Sequence, residues 1–473
     1  MNNISNWVKN EIETAGIRDE RHVNRLEYII TKFAENAEGK MPNAFEHPKD
    51  IKALYRFLSN DAIDAEEILG SHRRETIKRI KSHETVLLIQ DTTSFNYEKG
   101  EHIKGMGVAG EYDNSKGLLM HSTLAATTEG TPLGVLSEDI WTRDPKERGK
   151  KSCKRNTNNS HKYKTEEKES QKWINALHKS NEGMPDDIKT VYVCDREADI
   201  YKFFYEILEA KRDFVIRSGS RKRRIDEEMK LLSDKIGASP VRGTVKVDIP
   251  RNTKEGYPAR TALLSIKYCE ASIRPPAQKP EFKGMPRLDI NVILAEEIDA
   301  PEGENAIKWC LLTSLPVESV EEAFEKVQWY KCRWLIERFH YILKSGCQIE
   351  KVRLENVERI KKLLSIYSIV AWRIAWITYE GRNNAKDSCE KILSKEEWTV
   401  LYLVVNETQS IPKKTPTIEE SVIMIAKLGG FTARKSDGNP GVKVIWRGLQ
   451  KLSNIMMGWQ MAMLVSQPKH MGT

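Results

Sequence analysis

Apolar residues fall into two rhythms along this chain. Between residues 85 and 217 they come in short unbroken runs: TVLLI at 85–89, VYVC at 191–194 and DFVIR at 213–217. Runs of that length, rich in β-branched and aromatic residues, predict strands buried on both faces. With apolar stretches at 117–127 and 131–139 and a helical pattern near 167–181, they predict a mixed sheet with strands at 85–91, 117–127, 131–139, 189–195 and 213–217. From 218 to 305 the rhythm changes to VRGTVKVDI, RTALLSIKYCEASI and LDINVILAEEI, separated by Pro and Gly turns, which predicts a β-rich insertion. Both ends of the chain read helical. Val23, Leu26, Ile30 and Phe33 recur at helical spacing beside Arg18, Arg21 and Arg25, and Asn60-Asp61 offers a turn or helix cap. After Glu337 the pattern stays helical apart from a turn-rich stretch at 427–442. Leu363 to Tyr379, crossed by Arg373, is too short and too charged to span a bilayer and predicts a buried helix. Three segments follow: helical 1–70, α/β 71–370 with the insertion at 218–305, and helical 371–473.

Chemistry concentrates in WYKCRWLIERFHYILKSG. Tyr330, Arg333, Glu337 and Lys344 are separated by 3, 4 and 7 residues, which puts them on one face of a regular helix. A carboxylate flanked by Arg and Lys suits a cation seated on a phosphate; ordinary ion pairing on a solvated helix edge gives the same pattern. Two more acids change the balance. Asp91 and Asp195 each close an apolar strand run, and an α/β sheet builds its sites at the carboxyl edge of its strands. One such Asp is commonly a cap or turn residue. Two of them plus Glu337 make an all-oxygen set suited to hard divalent cations such as Mg²⁺.

CDREADIY (194–201) resembles the second-aspartate motif of the bacterial DDE insertion-sequence transposases, and Tyr330, Arg333, Glu337 and Lys344 match their Y-x-x-R-x-x-x-E-x-x-x-x-x-x-K signature. DTTSF (91–95), GLLMHSTLA (117–125), EKES (167–170) with Lys172-Trp173, KWCLLTSLPVES (308–319) and IAKLGGF (425–431) resemble further family segments in family order. ALYRF (53–57) is similar to an N-terminal segment of the hairpin-forming, cut-and-paste subgroup. The resemblance implies an RNase H-like mixed sheet with a β-rich insertion, a helical N-terminal DNA-binding domain and a helical C-terminal dimerisation domain. It implies Asp91, Asp195 and Glu337 as catalytic metal ligands for two Mg²⁺ or Mn²⁺ ions. Tyr330, Arg333, Lys344 and, less directly, Arg217 would contact DNA phosphates, and Trp309 would stack a displaced base. The partners implied are double-stranded DNA (terminal inverted repeats and target) and a second copy of the chain. The same motifs also fit a nuclease that never joins ends, or a catalytically silent DNA-binding regulator derived from a transposase.

Charge agrees with that partner. The net charge is +8, and residues 148–164 hold seven Lys or Arg with no acid, while 216–260 hold twelve against six, including Arg221, Lys222, Arg223 and Arg224. Such runs suit a polyanion's backbone or a plain solvated loop. Seven cysteines without a C-x-x-C pair indicate free thiols in a reducing compartment, with Cys194 a small buried residue. The absence of an apolar core in the first 16 residues implies no secretion signal. A cytoplasmic, nucleoid-associated protein without membrane contact is expected. GMGVAG (105–110) matches G-x-G-x-x-G in letters only, since no apolar strand precedes it and no helix follows. Glu337-x-x-His340 has no second such pair to complete a di-iron bundle site, so His340 is expected to be structural or near DNA. Trp334 fits DNA stacking or core equally. Asp199 and Glu197 are further acids beside Asp195. Trp446, Leu449, Leu452, Ile455, Met456 and Trp459 at helical spacing fit either core or a dimer contact.

Overall fold

The computed structural model describes residues 6–35, 41–97, 102–110, 115–144, 169–219, 223–225, 231–249, 259–276, 280–434 and 437–466. The basic run at 148–164, Arg221 and Lys222 of the second run, and Cys153 lie outside them.

Four helices open the chain: α1 (Asn6–Ile12), α2 (Glu20–Glu35), α3 (Pro48–Leu58) and α4 (Ala65–Ile80). Asn60 lies in a turn, and the cap of α4 is Asp64, whose carboxylate accepts from the Glu67 amide at 2.7 Å while the Glu67 side chain returns the contact. That reciprocal arrangement satisfies two otherwise orphaned amides. Strands follow: β1 (Thr85–Asn96), the two-residue β2 (Gly107–Val108), β3 (Lys116–Thr127) and β4 (Pro132–Trp141). Next come α5 (Gln171–Asn181), β5 (Lys189–Cys194), α6 (Tyr201–Glu209) and β6 (Asp213–Arg217). The insertion contributes α7 (Leu232–Ala238), β7 (Gly243–Ile249), β8 (Arg260–Ile273) and β9 (Leu288–Ile298), and β10 (Lys308–Thr313) returns to the core.

All of these strands form one sheet in the order β4-β3-β1-β5-β6-β10-β9-β8-β7, with β2 beside β3 on the β4 side. β4, β3 and β1 are antiparallel; β1, β5 and β6 are parallel; every pairing from β6 outward is antiparallel. The insertion is thus a continuation of the sheet. GMGVAG contributes β2 and no phosphate loop.

β1 corrects the sequence reading. It does not end at Asp91 but runs on to Asn96, so Asp91 sits mid-strand. The extension is possible because β3 pairs with β1 along its whole length, through Asn96↔Gly117, whereas β5 stops at Cys194 opposite Gln90. TTSF lacks a continuous apolar signature because this part of β1 has a partner on one side only.

The remaining helices are α8 (Val320–Lys331), α9 (Trp334–Tyr341), α10 (Val357–Asn383), α11 (Lys395–Val405), α12 (Ile418–Leu428) and α13 (Val442–Ser466). The signature stretch is not one regular helix. The chain turns at Cys332-Arg333 between α8 and α9, and α9 passes into a wide π turn at Ile342–Gly346 that carries Lys344. Gly346 is needed there, since a Cβ would lie 1.6 Å from the Trp446 ring of α13.

The sheet separates two apolar layers. Leu87, Ile89, Phe95, Val191, Val193, Val215 and Leu311 face the layer roofed by the N-terminal helices and α8–α13. Val86, Leu88, Tyr192, Ile216 and Leu312 face the layer with Trp173 of α5 and Phe203 and Phe204 of α6. α10, with Leu363 to Ile377 largely buried, clamps the N-terminal helices to the sheet. Trp372 Nε1 donates to the Pro132 carbonyl, Tyr367 meets Phe33 at 4.7 Å between ring centres, and Lys362 Nζ donates to the carbonyls of Leu58 and Asn60. Arg373 is half-buried over Trp7 and Trp376 and donates to the Ile392 carbonyl. The α13 apolar positions divide: Trp446, Leu452 and Met456 are core, while Trp459, Met461, Met463 and Val465 are exposed. Among the described residues no helix is long and apolar enough to cross a membrane.

Candidate active site

Side chains alternate across a strand, and parity delivers the site. Asp91 lies on the same face of β1 as Leu87, Ile89 and Phe95; Asp195 extends the Val191, Val193 face of β5; Arg217 extends that of Val215; Trp309 shares the face of Leu311. Since Gln90 pairs with Cys194, the next residues, Asp91 and Asp195, stand side by side where β5 stops. α9 crosses this face from above.

Arg333 is the hub. Its Nη1 lies 3.5 Å from Asp91 Oδ2 and its Nη2 donates to Glu337 Oε1. Asp91 Oδ1 also accepts from the Thr92 amide at 2.7 Å. Burial pushes the Asp91 carboxyl up to about 6; Arg333 opposes the shift, and the charges of Asp195 and Glu337 add to it. Asp195 caps the short turn 196–198 through the Glu197 amide at 2.9 Å. Glu337 is exposed.

Tyr330 is buried, its ring edge-on to Trp309 at 5.4 Å, and desolvation raises its pKa against the pull of Arg333 and Arg217. Trp309 is 9% exposed. Arg217 Nη2 donates to the Lys308 carbonyl at 3.1 Å, next to Trp309. Lys344 Nζ sits 5.8 Å over the Phe95 ring. Arg333 over Asp91 and Lys344 over Phe95 show that the signature stretch runs along β1. The structure therefore gathers Asp91, Asp195, Arg333 and Glu337 at one place, sets Tyr330, Trp309 and Arg217 in a cluster beside them, and holds Lys344 farther down the strand.

Among the described residues no group of three His, Cys, Asp or Glu side chains is close enough to hold a metal ion as they stand, because a guanidinium occupies the space between Asp91 and Glu337. The donor chemistry fits a hard divalent cation: three carboxylates, two of them near enough to raise the proton affinity of the third.

Neighbouring acids sort out cleanly. Asp199 accepts from the Gly219 amide at 2.8 Å, from Ser218 Oγ and from Arg223, which fastens the chain leaving β6 to the turn after Asp195. Glu197 pairs with Lys172 at 3.4 Å. His340 is buried, with Nε2 3.3 Å from Ser122 Oγ, and burial beside Lys344 lowers its pKa to about 3. Trp334 is exposed, as is Tyr341 two turns later. Sequence reasoning passed over Ser122, the clamp made by Asp199, and Glu350, whose Oε1 accepts from the Asn96 amide. Only the S/D-x-x-E type of local spacing leaves a trace in sequence; these contacts span distant segments and leave none.

Three family models match the chain in succession: transposase DNA-binding over residues 4–63, transposase DDE domain over 153–373, and the Tn5 transposase dimerisation domain over 369–468. Asp195 and Glu337 fall within the DDE match; Asp91 precedes it. One solved structure, a cryo-EM piggyBac transposase synaptic complex with hairpin DNA, aligns with 95% of this chain and 74% of its own at 10% identity and a TM-score of 0.33. A likeness that slight carries no argument about the site. The matches follow one another in the order DNA-binding, DDE and dimerisation, and Asp195 and Glu337 of the candidate site lie inside the transposase DDE match.

Proposed function

We propose that the protein binds the terminal inverted repeats of its own element, cleaves DNA there by phosphodiester hydrolysis, and joins the freed 3′-OH ends to target DNA. The observation that carries this reading is the convergence of Asp91, Asp195 and Glu337 around Arg333 on one sheet face. The strand order β4-β3-β1-β5-β6 supports an RNase H-like core within residues 71–370, flanked by the helical DNA-binding segment 1–70 and the dimerising segment 371–473.

Asp91, Asp195 and Glu337 would hold two Mg²⁺ or Mn²⁺ ions, which supply a nucleophile by lowering the pKa of water and neutralise the leaving 3′ oxygen. The other residues bind and orient. Arg333, released from Asp91 and Glu337 as a phosphate arrives, exchanges one anion for another; its planar fork matches phosphate as well as carboxylate. Lys344 and Arg217 hold backbone phosphates on either side, and Tyr330 donates its phenol from the buried cluster. In a hairpin route Trp309 supplies the shelf for a displaced base. Its ring is covered by Tyr330, so that step requires β10 or Tyr330 to shift. Joining two ends requires two copies of the chain, and the exposed apolar end of α13 supports a homodimer. A cytoplasmic, nucleoid-associated location follows from the DNA partner.

A cleavage assay tests the proposal: DNA carrying the sequences that flank this gene, Mg²⁺, denaturing gels, wild type beside Asp195→Ala. Breaks at the ends with a slow-migrating hairpin, absent in the variant, support it. DNA that is shifted but uncut by both proteins overturns it in favour of a silent regulator. Cutting without strand transfer leaves a nuclease.

A further inference from the structure

The proposed chemistry leaves one motif unused, the Glu337-x-x-His340 pair, and one feature of the sheet beneath it. Register sets Asp91 opposite Ser122 in β3, and Ser122 opposite Glu138 in β4. Asp195 continues the same row on the other side of β1. A line of polar residues therefore crosses four strands on the face that otherwise carries Met120, Leu124, Ile89 and Val193. Ser122 is fully buried, with apolar neighbours before and after it on its own strand face. A buried hydroxyl without a partner is costly. Ser122 has one: His340 Nε2 at 3.3 Å, itself buried.

That contact joins α9 to the sheet one strand away from Asp91 and three residues after Glu337. Apolar packing of Ile336 and Phe339 presses α9 onto the sheet but does not fix its register, because such contacts are non-directional. A hydrogen bond does fix it. Arg333 cannot perform this task during catalysis if it leaves for a phosphate.

We propose that His340 is a positioning residue, whose bond to Ser122 sets α9 in the register that keeps Glu337 with Asp91 and Asp195. The proposal rests on the reading of these three as a divalent-cation site. His340 does not bind the cation; it holds the helix that does. Loss of the Ser122 hydroxyl and loss of the imidazole are then the same lesion.

The test uses the full-length protein and Mn²⁺ as probe, with bound ion measured by electron paramagnetic resonance and cleavage followed against Mg²⁺ concentration. Wild type and Asp195→Ala examine the metal reading itself: absence of Mn²⁺ binding by the wild type defeats that reading before His340 is considered. Given binding, Ser122→Ala and His340→Ala are each expected to weaken Mn²⁺ affinity about tenfold and to raise the half-saturating Mg²⁺ by the same factor. The double variant is expected to be no weaker than either single one. His340→Gln, whose amide reaches the place of Nε2, is expected to rescue binding; His340→Asn, which reaches only the place of Nδ1, is not. Ser122→Ala removes one hydroxyl and stays testable even where His340→Ala misfolds. Folded Ser122→Ala with wild-type Mn²⁺ affinity overturns the proposal, as do variants that lose melting temperature while binding Mn²⁺ as before.

Discussion

The sheet has two halves that meet where β6 pairs with β10, and they are built on different principles. In the first half β3 is buried at every position but its first, and β1 from Val86 to Gln90. Helices roof both faces. In the second half β7 and β8 alternate: Thr244, Lys246, Asp248, Thr261 and Leu263 are exposed between buried or half-buried neighbours. Only one face is covered along β7 and the start of β8, whereas Val292–Ala295 of β9 and Leu311–Thr313 of β10, nearer the first half, are buried throughout. All three candidate ligands lie in or over the closed half, where charge is costly to bury and geometry is stiff. The open half offers an accessible face, suited to guiding a long anionic partner. Stiffness for chemistry and exposure for reach thus come from one continuous sheet.

Substitutions can break that contrast in graded steps. The largest effect belongs to the acids: Glu337→Ala is expected to lower cleavage at least about a thousandfold, as loss of one member of a catalytic unit does, with gel-shift binding of end DNA largely intact. Loss of specific binding in a folded variant contradicts that assignment. Next is Glu138, a carboxylate buried in β4 facing Ser365 and Ser368 of α10 and pushed up to about 7 by burial. Between the unfolded value near 4.5 and 7 the folded state holds a proton the unfolded state has released. This group's contribution is therefore full below 4.5 and is lost as pH rises through 7. Glu138→Gln should remove that slope, gaining on the order of 2–3 kcal/mol over wild type at pH 8 and little at pH 4; urea melts at the two pH values measure it. Gly134 of β4 sits where a Cβ would come within 1.9 Å of Thr76 Oγ1 on α4. Gly134→Ala should cost about 1–3 kcal/mol, read from the same melts. The smallest effect is in the open half, where Lys246→Ala should leave stability within about 0.5 kcal/mol while weakening DNA binding in a salt-dependent way. A large stability loss there would erase the distinction between the halves.

The same contrast explains what could be read in advance. Doubly buried strands announce themselves as TVLLI and VYVC, and the acids that follow those runs are Asp91 and Asp195, although β1 continues past Asp91. The regular spacing of Tyr330, Arg333 and Glu337 marks the third acid. The rest of β1 was hidden because TTSF gains its strand character from β3, a partner that arrives later in the chain. The π turn under Lys344 was hidden for a related reason: its last residue, Gly346, packs against the Trp446 ring about a hundred residues away in sequence. Ser122 is the plainest case. A serine in GLLMHSTLA gives no sign of its partner, since the histidine it meets lies 218 residues on.

Lys362 reaches back across 302 residues to the Asn60 carbonyl, and Tyr367 and Trp372 on the same helix pack on Phe33 and His72 of the helices at the start of the chain. This has a consequence in time. A ribosome adding about 5–20 residues per second needs roughly 15–60 s to travel that interval. For that period the first helices exist without the surface that completes them, so the finished N-terminal unit is a late product of synthesis although it is the first to emerge.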